Sequence, residues 1–107
     1  MKPDEFTRVF RTGVRSSDRF FTLLAAPGEL AEARIGLAVS RKVSTAAVER
    51  NRIKRLARES FRRAVKKLPA IDIVVMAKRD AASAPNDVLR RSLDRHWQQL
   101  ARKCAAS

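Results

Sequence analysis

The sequence predicts an α+β fold in which helices pack on a small sheet. Three observations carry that prediction. Residues 53–68 place Ile53, Leu56, Ala57, Phe61, Ala64, Val65 and Leu68 at the i, i+3, i+4, i+7 spacing of an amphipathic helix. Residues 71–77, Ile-Asp-Ile-Val-Val-Met-Ala, are rich in the β-branched side chains that favour strands. Shorter helical and extended patterns flank these two segments in the order helix, strands, long helix, strand, helix.

Each element has a local reason. Pro3 fits the first position of a helix, and Asp4 and Glu5 complement its dipole. Phe6, Val9 and Phe10 share one face of that helix, and Gly13 is placed to end it. Residues 20–25, Phe-Phe-Thr-Leu-Leu-Ala, predict a strand closed by Pro27-Gly28. Residues 35–40 predict a second strand. Ser44 or Thr45 is placed to cap the long helix, which is expected to run to about Leu68 and stop before Pro69. A last helix is expected from about Pro85, with Val88, Leu89, Leu93, Trp97, Leu100 and Ala101 on its apolar face. At 107 residues, with neither repeat nor linker, residues 1–107 are expected to form a single domain.

Charge separates the function classes. The chain carries 24 Lys and Arg against 11 Asp and Glu, a net charge of +13. Residues 50–67 alone hold nine Lys or Arg and the single acid Glu59, a net +8. The apolar fraction of 45% is too high for a disordered basic tail. The charge therefore sits on a folded rod. At about 100° per residue, Asn51, Arg55, Arg58 and Arg62 form one stripe away from the apolar face. Repulsion among so many like charges costs stability unless a polyanion neutralises it, and the implied polyanion is nucleic acid. No apolar run approaches the roughly 20 residues of a membrane-spanning helix. Met1-Lys2 leads straight into Pro3-Asp4-Glu5 without the apolar run of a secretory signal. The single Cys104 excludes an internal disulfide and suits a reducing compartment, so a cytoplasmic location is expected.

Two further features extend the binding reading. Phe20 and Phe21 are adjacent, so in a strand they point to opposite faces. An outward Phe beside a basic helix offers a stacking platform for single-stranded nucleic acid. The competing reading is that Phe6, Phe10, Phe20 and Phe21 all fill the core. Arg41 and Lys42, after Ser40 at a strand end, extend the positive surface, or simply form a solvated turn. Catalytic signatures are missing. The acids form no cluster beyond Asp4-Glu5, His96 stands alone, and no metal or nucleophile motif occurs. The chain by itself is expected to bind and not to catalyse, with no catalytic or metal-ligating residue of its own.

Four blocks in order then carry a resemblance. They are residues 6–13 (Phe-Thr-Arg-Val-Phe-Arg-Thr-Gly), 34–42 (Arg-Ile-Gly-Leu-Ala-Val-Ser-Arg-Lys), 49–62 (Glu-Arg-Asn-Arg-Ile-Lys-Arg-Leu-Ala-Arg-Glu-Ser-Phe-Arg) and 71–78 (Ile-Asp-Ile-Val-Val-Met-Ala-Lys). Together they resemble the protein subunit of bacterial ribonuclease P. The resemblance implies a small two-layer α+β sandwich with a four-stranded sheet and a left-handed βαβ crossover through the basic helix. It also implies a strand at residues 14–17, which the residues alone suggest is a turn. It implies an endonuclease that removes the 5′ leader of precursor tRNA, with catalysis by an RNA subunit and Mg²⁺ held mainly by RNA phosphates. The partners implied are that catalytic RNA and the leader, with the protein a monomer in the holoenzyme. RNA binding is expected at Arg41, Lys42, Arg50, Asn51, Arg52, Lys54, Arg55, Arg58 and Arg62. A leader cleft is expected between sheet and first helix, using Phe6, Phe10, Phe20 or Phe21, and Ser40. The alternative is a purely structural or RNA-chaperone protein, such as a ribosomal component.

Overall fold

The computed structural model describes residues 1–105. Its elements are helix α1 (Pro3–Thr12), strands β1 (Val14–Ser17), β2 (Phe21–Pro27) and β3 (Arg34–Ala38), helix α2 (Ala47–Ala64), strand β4 (Ile71–Ala77) and helix α3 (Asn86–Ala105). Short 3-10 turns follow α2 at Val65–Lys67 and β4 at Arg79–Ser83. The four strands form one sheet in the order β1-β2-β4-β3. The β1–β2 and β2–β4 pairs are antiparallel, whereas β3 and β4 are parallel. A parallel pair needs a long crossover, and α2 supplies it.

The sheet has two unequal faces. Phe21, Leu23 and Ala25 of β2 and Ile71, Ile73 and Val75 of β4 point to one side. There they meet Ile53, Leu56 and Ala57 of α2 and Leu89, Leu93, Trp97 and Leu100 of α3. This is the main core. The alternate residues point the other way, as strand geometry requires. On that side Val9 of α1 packs on Ala26 and Val74, with Phe6, Leu24 and Met76 partly buried around them. The expected sandwich is therefore observed, with α1 as a small additional cover on the opposite face.

Several boundaries differ from expectation for physical reasons. Neither Ser44 nor Thr45 caps α2. The N-cap is Ala46, because Ser44 Oγ accepts from the Ala46 N–H at 3.2 Å and makes a turn one step earlier. The Arg50 guanidinium donates to the carbonyls of Ser44 and Thr45, at 3.0 and 3.1 Å, and holds that turn against the helix. Regular α-helix ends at Ala64, and the remaining apolar periodicity to Leu68 is completed by the 3-10 turn. Strand β2 begins at Phe21 and includes Pro27, whose lack of an N–H is tolerated at a strand end. Strand β1 exists although Val14-Arg-Ser-Ser offers little apolar signal. It is an edge strand, paired residue for residue with β2.

Candidate nucleic-acid interface

The solvent face of α2 carries a continuous cationic row. Asn51, Arg55, Arg58 and Arg62 are all exposed and, with Glu59, line one shallow groove along the helix. Among the described residues none of these three arginines has a protein hydrogen-bond or carboxylate partner. The apolar stripe of the same helix is consumed by the core, so packing fixes which way the row points. Arg41 and Lys42 are exposed in the turn after β3, and Lys54 is half-buried.

Two predicted site arginines do other work inside the chain. Arg50 holds the turn before α2, as described above. Arg52 donates to Asn86 Oδ1 at 2.6 Å, to Glu49 at 3.1 Å and to the carbonyl of Ala82 at 3.1 Å. It ties α2 to the segment that leads into α3. Those acceptors lie 30 to 34 residues away, apart from Glu49, and nothing in the local sequence announces them.

On the α1 side the aromatic expectations divide. Phe10 is 51% exposed. Phe6, one turn earlier, lies half-buried over Gly36 of β3 so closely that any Cβ at Gly36 would collide with its ring. Phe21 lines no cleft. It is 0% exposed, alternates in register with Leu23 and Ala25, and meets the His96 ring edge-on at 6.5 Å. Phe20 also lies away from α1. It packs on the rim of the main core, beneath the Arg19 guanidinium at 5.7 Å. The expected opposite-face arrangement does not hold, because β2 begins at Phe21 and both rings pack against the main core. Beyond α1, one row of the sheet face runs through Ser17, Thr22, Met76 and Ala38 by strand register. Ser17 and Ala38 are exposed and Met76 is half-buried. Lys78 Nζ reaches Ser17 Oγ at 2.9 Å, and Ser40 is exposed just past β3.

Charge anchors α1 to this face. Asp72, 0% exposed on β4, accepts from Arg34 at 2.9 and 2.8 Å and also from Arg8 of α1. Arg34 reaches Glu5 as well. Arg34 holds the Asp72 carboxyl below the usual carboxylate range, against the opposing effect of burial. Glu5 is lowered too, by the Lys2 N–H and then by Arg34. The network was not foreseen. Its one local signal is a carboxylate inside an otherwise apolar strand.

A second polar chain fastens α3 to β1. Ser16 Oγ lies 2.7 Å from His96 Nδ1, and His96 Nε2 lies 3.1 Å from Asp18 Oδ2. The three residue types are those of a hydrolase triad, but Ser16 is only 2% exposed and no substrate reaches it. Burial lowers the His96 pKa despite the Asp18 carboxylate. Asp18 is desolvated, yet the Ser92 hydroxyl and the N–H groups of Phe21 and Phe20 outweigh that and hold it at about 2. Among the described residues no three His, Cys, Asp or Glu side chains form a metal-ligand group. No helix among them is long and apolar enough to cross a membrane.

Comparison with known proteins adds an independent line. A family model for ribonuclease P matches residues 1–101. The ribonuclease P protein component of Methylococcus capsulatus is 52% identical over 105 residues, covering 98% of this chain and 82% of that protein. The corresponding component of Vibrio parahaemolyticus is 41% identical over 102 residues, covering 95% and 86%. Among solved structures, the ribonuclease P protein of Staphylococcus aureus superposes with a TM-score of 0.85 at 31% identity, covering 94% of this chain and 92% of that one. The Thermotoga maritima protein gives 0.76 at 28% identity, covering 91% and 89%. The ribosomal-component alternative falls away, because sequence, fold and the order of the four blocks all converge: this chain belongs to the ribonuclease P protein family, the protein component of the tRNA-processing enzyme.

Proposed function

We propose that this chain binds the catalytic RNA of ribonuclease P along α2 and the single-stranded 5′ leader of precursor tRNA beside α1. The observation that carries the reading is the row Asn51, Arg55, Arg58 and Arg62, exposed and without side-chain partners among the described residues, on a helix whose other face is locked in the core. A rigid cation row is pre-organised for phosphates, and guanidinium forks match phosphate oxygens. Arg41, Lys42 and Lys54 extend it. Arg50 and Arg52 act mainly by fixing the helix start and the approach to α3.

The leader lies across the exposed part of the sheet face. Phe10 and Phe6 supply stacking surface, Ser17 and Ser40 supply hydroxyls, and Lys78 supplies charge. Precursor has a leader and mature tRNA does not. Contacts to the leader therefore favour substrate over product without any chemistry by the protein. The Mg²⁺ of the reaction is assigned to RNA phosphates. Glu5 and Asp72, the carboxylates between α1 and the sheet, are both engaged by arginine.

The test is reconstitution with the catalytic RNA at low Mg²⁺, using precursor tRNAs with and without a leader. Stimulation that depends on the leader supports the reading, as does the absence of cleavage by nuclease-treated protein alone. Equal stimulation of both precursors, or cleavage by protein alone, contradicts it.

A further inference from the structure

An open groove lies between the C-terminal halves of α2 and α3, away from α1. It encloses about 660 Å³, within the roughly 300–1,000 Å³ range of ligand sites. It exists because small residues face each other there. Ala64 on α2 and Ala101 on α3 leave the helices unfilled, and Leu68 and Trp97 complete an apolar floor. The Trp97 ring is held in place. Its Nε1–H donates to Ser60 Oγ at 2.7 Å, Ser60 donates to Asp94 Oδ1 at 3.2 Å, and Phe61 meets the indole edge-on at 5.7 Å.

The rim has the opposite character. Arg63, Lys67 and Arg102 stand around the floor, all three exposed. Among the described residues none of them has a protein partner. Three cations face the single carboxylate Asp94, which already accepts from Ser60. An apolar slot with an unneutralised cationic rim fits a ligand that is flat and apolar at one end and anionic at the other. The groove and the cation row of α2 are lined by neighbouring residues of one helix. Arg62 lines the shallow groove along the helix and Arg63, the next residue, lines this one. Successive residues lie about 100° apart on a helix, so a strand on Arg55, Arg58 and Arg62 enters the groove by wrapping about a quarter-turn around α2.

We propose that this groove is a second RNA site, which takes an unpaired nucleotide of a strand bound along α2. The base lies over Ala64, Leu68 and Ala101 against Trp97. The adjacent phosphates meet Arg63, Lys67 and Arg102. Asp94 is placed to accept from an exocyclic amine or a ribose hydroxyl. The proposal rests on the RNA-binding reading above and adds a base-holding pocket to it.

Trp97 is the only tryptophan in the chain, so its fluorescence reports on the groove. The full-length protein is titrated with a single-stranded uridine hexamer, followed by Trp97 emission. A fluorescein-labelled copy of the hexamer, followed by anisotropy, reports binding anywhere on the protein. A saturable change in Trp97 emission over the same concentration range as the anisotropy is expected. Ala101→Phe fills the slot without changing any charge and should abolish the emission change and weaken binding at least about tenfold. Lys67→Ala, at an exposed position, should flatten the salt dependence by about one unit while retaining the fold. Binding by anisotropy with silent Trp97, or Ala101→Phe and Lys67→Ala both binding as wild type, overturns the groove proposal and leaves the α2 row standing. Loss of both signals for the wild type overturns both. Tripolyphosphate that matches the hexamer in affinity and emission change overturns the base-holding part.

Discussion

Arg52 and Arg55 lie one turn apart on the same helix and do opposite things. Arg52 spends its guanidinium on Glu49, Asn86 and the Ala82 carbonyl. Arg55, with Arg58 and Arg62, has no protein partner among the described residues. Arg8 and Arg34 side with Arg52, because both converge on Asp72. The aromatics divide in the same way: Phe21 is sealed in the core while Phe10 stands half in solvent. Charge or ring count alone therefore does not locate an interface. What matters is whether the group has already been satisfied inside the chain.

The aromatic pair gives the largest contrast. Phe21→Ala should cost about 3–5 kcal/mol of stability by chemical denaturation, the range for a fully buried ring. Phe10→Ala should leave stability within about 0.5 kcal/mol, yet weaken leader-bearing precursor by about 1–3 kcal/mol relative to mature tRNA. Equal losses for the two RNAs would remove Phe10 from the leader site.

Asp72→Asn comes next. It leaves Arg8 and Arg34 facing each other without their shared carboxylate. About 2–3 kcal/mol of stability should be lost, less than the roughly 3–5 for a wholly buried pair, because both arginines keep some contact with water. Stability unchanged in urea titration would show that the network does not anchor α1.

Arg52→Ala should cost about 0.5–1.5 kcal/mol, since half-buried and exposed acceptors lose their donor. Arg55→Ala should cost nothing measurable in stability and lower the salt slope of RNA binding by up to about one unit. If the two variants behave alike in both assays, the division between internal and external arginines is wrong.

The pH dependence is the gentlest test. The folded pKa of His96 is depressed, so the unfolded chain takes up a proton first. Stability contributed by neutral His96 is complete above about 6.5 and falls as pH drops below it, by up to about 1.4 kcal/mol per unit. Asp72 and Asp18 are depressed carboxylates, so their contributions persist to lower pH. Theirs are lost only below about 4, and for Asp18 toward about 2. His96→Gln should remove the first phase and leave the second.

Local periodicity made much of this legible. The β4 run and the apolar stripe of α2 are dense enough to fix both elements, and the stripe in turn fixes the outward direction of Asn51, Arg55, Arg58 and Arg62. Strand β1 was legible only through family resemblance, because an edge strand of Val-Arg-Ser-Ser gains its structure from pairing with β2. The roles of Arg34, Arg52 and His96 were not legible at all. Their principal partners lie 30 to 80 residues distant, and only the folded chain brings them together. The choice between Phe20 and Phe21 was open for a related reason. Alternation holds only within a strand, and β2 begins at Phe21, so Phe20 escapes it and packs on the rim of the same core.

The most direct measurement is the salt dependence of binding to the catalytic RNA for wild type and for the Arg55→Ala/Arg58→Ala/Arg62→Ala triple variant. If the row carries the RNA, the slope of log K against log salt should fall by about two to three units, with unfolding free energy unchanged. A slope equal to wild type, in a variant that folds normally, would mean that the RNA lies elsewhere.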